Sequence, residues 1–347
     1  ARIGVVEHAP GGDWRAAAAE FLQGRREERM RWEVMPQAGG GAVVLMGWSH
    51  LFCDARGIEL AWAEVARLAD DEAAVPERDS WAPPWPVSGG LVERGRAVRV
   101  FLDRYWRLRA NRVVAAGPAP ARAARACFEV WRFTAEETAA MKRRAEPVTG
   151  GIFALPWFLA AAMRAHAAVL RGRGVTDGVL ECTISVQGRR RGARGPILQN
   201  QVSQLFFSRS LAAGGSMEDA ARDLQRQFAE MTREKFEASF AVMIDAMRRL
   251  PAPLYRRFLR REASGQIASF YHAHTGEFLP RLREFCGGEI LDGWHVPSVP
   301  QPPGTGLFFS ERDGRLTATL SWREGVLAEG ERRRMLESVR GDLLGAG

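Results

Sequence analysis

The chain has 347 residues, of which 46% are apolar and 26% charged; it is long enough to bury a real core and has the balance of an ordinary globular protein. A formal net charge of +8 attracts anions, whether nucleic acid, acidic headgroups, a nucleotide-bearing cofactor or an acidic carrier protein. The basic residues lie in short clusters such as 189–191 and 256–261, without the basic helix, zinc-ligand set or aromatic-basic signature of a dedicated nucleic-acid binder, so nucleic acid is disfavoured as a partner.

In chain order, residues 2–7 suit a short strand, and Asp13 is placed to cap a helix reaching about Leu22. Residues 30–36 alternate apolar and polar, and Gly39, Gly40 and Gly41 turn the chain into the apolar run 42–48, which predicts a hairpin. From Gly57 the spacing of Ile58, Trp62, Val65 and Leu68 is that of one helical face; Trp48 and Trp62 are expected in the core. Residues 80–90, with three prolines, read as a loop, and a helix is expected from about Leu91 to Arg112. The Ala-, Gly- and Pro-rich stretch 114–124 is the best linker, dividing the chain into halves at 1–120 and 121–347.

The second half is predicted to hold a strand at 127–134, a helix opened by a capping box at Thr134, and an apolar helix at 152–170. Strands at 179–187 and 202–210 flank a loop, and helical patterns run from Ser216 to about Tyr271. A proline-rich loop at 296–304, a strand pair over 306–322 turning at Asp313 and Gly314, and a last helix from Glu329 complete it. Strands with flanking helices on both sides of a linker indicate an α/β fold of two layers. The window 151–170 is interrupted by Pro156, Arg164 and His166, which favours a core helix over a membrane span. Cys53, Cys127, Cys182 and Cys286 form no CxxC pair, which argues against a thiolate metal site or a disulfide framework. Without a leader-like segment, the expected location is the cytoplasm.

The stretch that invites chemistry is Gly47 to Gly57, "GWSHLFCDARG". It sets His50 at the end of an apolar strand, Asp54 four residues on and an amphipathic helix behind. Imidazole takes and returns protons near neutral pH, and strand ends hold side chains rigidly. The plain alternative is a hydrogen-bonded histidine at a sheet rim.

This segment resembles the HHxxxDG motif of the CoA-dependent acyltransferase superfamily, which includes chloramphenicol acetyltransferases, nonribosomal peptide condensation domains and wax ester synthase/diacylglycerol acyltransferases. "ILQNQVSQLFFSRSL", residues 197–211, is similar to the Gly-Asn-x-x-Ser stretch and following strand of two of those groups, and "GTGLFFSERDGRLTATLSW", 304–322, to their late hairpin. The resemblance implies two chloramphenicol acetyltransferase-like halves, each a mixed sheet with flanking helices, and an active-site tunnel between them. It implies that His50 is the general base, taking a proton from a hydroxyl or amine that attacks a thioester. Asp54 would be structural, pairing with an arginine of the second half, for which 189–191 supply candidates. Asn200 and Ser203 would face the tunnel as oxyanion or substrate contacts, and Arg189, Arg190 and Arg191 could meet the phosphates of coenzyme A or a phosphopantetheine arm. No permanently bound cofactor or metal is implied; the co-substrate would be an acyl-CoA or carrier-bound thioester. An acidic acyl carrier protein and a small-molecule or lipid acceptor are the partners implied.

The chain departs from the pattern at Ser49, where the first histidine of the pair would stand, at Ala55 after the aspartate, and at Gln199 before Asn200. Gly57 is expected to supply the missing flexibility. Relatives of this kind carry a longer stretch ahead of the histidine, so either this branch is trimmed or the sequence begins late. The departures keep open a silent member that binds a lipid or carrier protein without catalysing. The basic stretch 247–261 also keeps open a peripheral membrane contact.

Overall fold

The structure, a computed structural model, describes residues 3–23, 30–71, 73, 75, 89–117, 124–151, 154–189, 192–195, 197–254, 268–280 and 282–345. The expected loop at 80–90 therefore lies outside the described residues except for Gly89 and Gly90, as do 118–123 of the expected linker.

The smaller sheet holds β1 (Ile3–Glu7), β2 (Met30–Pro36) and β3 (Ala42–Trp48) in that order. β1 runs parallel to β2, with α1 (Trp14–Gln23) as the crossover, and β2 pairs antiparallel with β3 from Met30↔Trp48 to Pro36↔Ala42. The hairpin turn places Gly40 and Gly41 at positive φ, which a glycine adopts without strain. Helix α2 (Ala55–Asp70) follows directly, two residues earlier than its apolar period suggests, because Asp54 is its N-cap.

The larger sheet has six strands in the order β4 (Ala126–Arg132), β11 (Arg315–Arg323), β10 (Thr305–Arg312), β7 (Phe270–Glu277), β5 (Val179–Gln187), β6 (Val202–Ser210). It is mixed: β7 runs parallel to both β5 and β10, and the remaining pairs are antiparallel. Helix α5 (Leu155–Gly172) is buried along nearly its whole length, between the sheet, α6 (Met217–Arg233) and α8 (Glu329–Leu344). No described helix is long and apolar enough to cross a membrane. Thr134 caps α4 (Ala135–Thr149) in a reciprocal capping box with Glu137, as the sequence predicts.

One expectation is corrected. The helical pattern assigned up to Tyr271 is broken after α7 (Phe236–Met247), is helical again at 252–254, where the described residues stop, and does not reach Tyr271, because Phe270 and Tyr271 open β7. His272 makes β7 read as polar, yet it is buried, its Nδ1 2.8 Å from the Leu307 carbonyl. Helix α3 (Leu91–Arg109) packs on α7 and sends Phe101 into the core of the larger sheet.

The small core is closed from the other side. Trp32 and Trp62 receive Phe285, which lies on a short hairpin of β8 (Glu284–Phe285) and β9 (Gly288–Glu289), with its ring stacked 5.6 Å from that of Trp32. Arg312 holds this excursion by donating to the carbonyls of Phe278, Leu279, Leu282 and Ile290.

Candidate functional site

His50 stands in the turn after β3 and is exposed, the only one of the six histidines that is. His8 and His295 are each paired with a buried carboxylate, Glu33 at 2.8 Å and Glu59 at 3.0 Å. His166 and His272 are enclosed, and burial pulls them down to about 4 and about 3, so both are neutral at pH 7. His274 sits 3.6 Å from Glu311, against the ring of Phe158. An imidazole that must meet a substrate from solution is therefore best sought at His50.

The turn is tied to the second half at the main chain. Asn200 donates through Nδ2 to the His50 carbonyl at 2.8 Å. Four residues on, Asp54 accepts from the amide of Gly57 (2.7 Å), capping α2, and from the amide of Gln201 (2.6 Å). Both its oxygens accept from Nη1 of Arg189 at 2.8 Å, and the same guanidinium donates to the Gln199 carbonyl at 2.9 Å. The two side chains are 2% and 4% exposed. A carboxylate taken out of water this far is stable only because each lone pair is met.

This burial bears on several residues. Arg189 faces inward and pairs with Asp54, the partnership expected of an arginine among 189–191; Arg190 and Arg191 lie outside the described residues. Ser203 is buried and donates through Oγ to the Glu237 carbonyl at 2.7 Å, which joins β6 to α7. The Asn200 Nδ2 is committed to the His50 carbonyl, while its buried Oδ1 has no hydrogen-bond partner among the described residues. Gly57 serves space, not flexibility. It lies within α2, and a Cβ there would come 2.4 Å from the Ile197 carbonyl.

One contact had no sequence signal. Glu59, one turn beyond Asp54, meets His295 across 236 positions of the chain, and Arg56 donates to its other oxygen at 2.6 Å. The His295 ring packs edge-on against Phe278 and Trp48, and its carbonyl accepts from Thr319 Oγ1. The first two turns of α2 are thus held by the second half on two sides.

No family model matches the chain, and no curated protein matches it in sequence. Solved structures do match in shape. Trichothecene 15-O-acetyltransferase from Fusarium sporotrichioides superposes with a TM-score of 0.70 at 14% identity, over 99% of this chain and 76% of that one. The first condensation domain of the calcium-dependent antibiotic synthetase, solved with a substrate analogue, gives 0.61 at 14% identity, over 99% and 78%. The epimerization domain from the third module of tyrocidine synthetase B gives 0.58 at 12%, over 99% and 79%. At such identities the likeness is one of fold: the chain has the two-part α/β architecture of acetyltransferase and condensation structures.

Proposed function

We propose that the protein is an acyltransferase that moves an acyl group from a thioester to a hydroxyl or amine, with His50 as its general base. The observation that carries this reading is the tie between the His50 carbonyl and Asn200, beside the buried Asp54–Arg189 pair. An outward histidine on a turn anchored from both halves can meet substrate without the turn having to reorganise.

In the reaction, His50 takes the proton of the acceptor as its oxygen or nitrogen attacks the thioester carbon. The carbon–sulfur bond then breaks, and the imidazolium returns the proton to the departing thiolate. Asp54 has no part in that transfer; its carboxylate holds the start of α2 and the 199–201 segment in register. Asn200 acts through the main chain of His50 and is a positioning residue. The donor is an acyl-CoA or an acyl carrier thioester, both anionic and suited to a chain of net charge +8. The acceptor is a lipid or natural-product alcohol or amine.

Ser49, Ala55 and Gln199, where the resembling motif has His, Gly and Gly, favour a second reading, a binding module that retains the fold without the chemistry. Thiol release from acyl-CoA and acyl-carrier thioesters of increasing length, with and without alcohols and amines, separates the two. Acceptor-dependent release that falls at least about 10²-fold in His50→Asn is expected for the enzyme. Ligand binding with no release in either protein is the outcome of the binding module.

A further inference from the structure

We propose that the outer face of α3 docks on an anionic lipid bilayer, an inference independent of the acyl-transfer reading. The helix carries six arginines against Glu93 and Asp103, an unusual share of the chain's positive charge. Its inner face is accounted for: Phe101 packs beside Phe236 and Phe240, Arg94 reaches Asp245 at 2.6 Å, and Arg104 reaches Glu234 at 3.3 Å.

At about 100° per residue, Val92 lies opposite Phe101, and Arg96, Arg99, Asp103 and Trp106 fall within about 40° of Val92, the one carboxylate on this face, Asp103, standing 3.6 Å from Arg99. Val92 is 69% exposed and Trp106 63%. Arg99 is 84% exposed on the same face, with Arg107 at its margin 67% exposed. Their ionic contacts are loose, 3.6 Å from Arg99 to Asp103 and 4.0 Å from Arg107 to Glu234. Exposed pairs of this kind contribute little and exchange readily for another anion.

The chemistry and the shape together select lipid. Apolar and cationic side chains, with the single carboxylate of Asp103 beside Arg99, share about 21 Å of a convex helix surface. Arginine beside tryptophan suits the headgroup boundary, where the indole enters the acyl edge and the guanidinium stays with phosphate. A protein partner would need a matched surface of roughly 1,000 Å², which scattered apolar residues on one convex helix do not offer. The basic stretch 247–261 noted in the sequence lies partly outside the described residues, and α3 needs none of it.

The test is co-sedimentation of the full chain with vesicles of phosphatidylcholine, with and without phosphatidylglycerol, at low and high salt. Binding is expected only with phosphatidylglycerol and only at low salt. The double variant Arg96→Gln/Arg99→Gln is expected to weaken it about 30-fold, at about 1 kcal/mol per arginine near a charged surface, and Trp106→Ser to weaken it as well, both with unchanged thermal melting. Arg222→Gln/Arg226→Gln, on α6, is expected to bind as the unaltered chain does. Absence of binding to phosphatidylglycerol vesicles overturns the proposal, and so does equal loss in the α6 variant. Capture of an acidic carrier protein that these α3 substitutions abolish, without vesicle binding, overturns it in favour of a protein partner.

Discussion

The two halves reach stability by different means. Around α5, the larger half buries Trp157, Phe158, Phe207, Phe270, Phe309 and their neighbours in one continuous core. The smaller sheet has three strands of five to seven residues, and its buried centre of Met30, Trp32, Cys53, Ile58 and Ala61 is completed by Phe285 from the larger half. At the seam it also buries two carboxylates, Asp54 and Glu59, whose partners Arg189 and His295 come from the larger half. The lesson is that the half bearing His50 takes its geometry from the half that does not.

Removing one charge at the seam should break this dependence most severely. Arg189→Met leaves Asp54 buried without its cation, and loss of about 3–5 kcal/mol is expected, visible in urea unfolding. Adding Asp54→Asn should recover part of that loss, because the uncompensated charge is then gone. If both single and double variants unfold like the parent, the halves are not coupled through this pair.

Acid should sharpen the contrast from the other side, because the buried neutral histidines belong to the larger half. The native state holds His166 and His272 well below the ordinary value of 6.5, at about 4 and about 3. Between those values and 6.5 the unfolded chain binds more protons, so their contribution is intact above pH 6.5 and is lost as pH falls. Taken together they imply a decline of about 2 kcal/mol per pH unit below 6. His272→Gln should flatten that slope, measured by urea unfolding at stepped pH.

Smaller effects probe how the larger half supports the site. Phe285→Ala is expected to cost about 2 kcal/mol, below the range for a fully buried phenylalanine, and to change the fluorescence of Trp32 and Trp62. Glu59→Gln keeps the shape but removes the charge facing His295; about 1 kcal/mol is expected, with a fall in kcat and little change in KM. Gly57→Ala sets two effects against each other. Alanine favours a helix by about 1 kcal/mol, whereas a Cβ 2.4 Å from the Ile197 carbonyl forces the facing loop to move, at about 1–3 kcal/mol. Net destabilisation, read from thermal melting, is the expected result.

Much of the fold was legible because local patterns decide it. The alternation in 30–36, the glycines at 39–41, the Thr134 capping box and the Asp313–Gly314 turn all name their structures within a few residues. Strand β7 was not legible, since His272 and His274 break its apolar pattern although His272 is buried against a strand neighbour's carbonyl. At the site, the position of His50 and the need of Asp54 for an arginine could be read from a short motif and its resemblance. The pairing of Ser203 could not, because it is set by a partner from elsewhere in the chain, the Glu237 carbonyl, whereas Arg189 stands among the arginines the motif pointed to for Asp54. The Glu59–His295 contact leaves no periodic trace at all.

The central claim, that the larger half holds the His50 turn in place, is tested most directly by amide hydrogen exchange. The comparison is between the parent chain and Arg189→Met under conditions where both remain folded. Faster exchange confined to the amides of 50–58 and 199–201 is expected in the variant, with unchanged protection in α5 and a parallel fall in His50-dependent thiol release. Unchanged exchange around His50, with release retained, would contradict it.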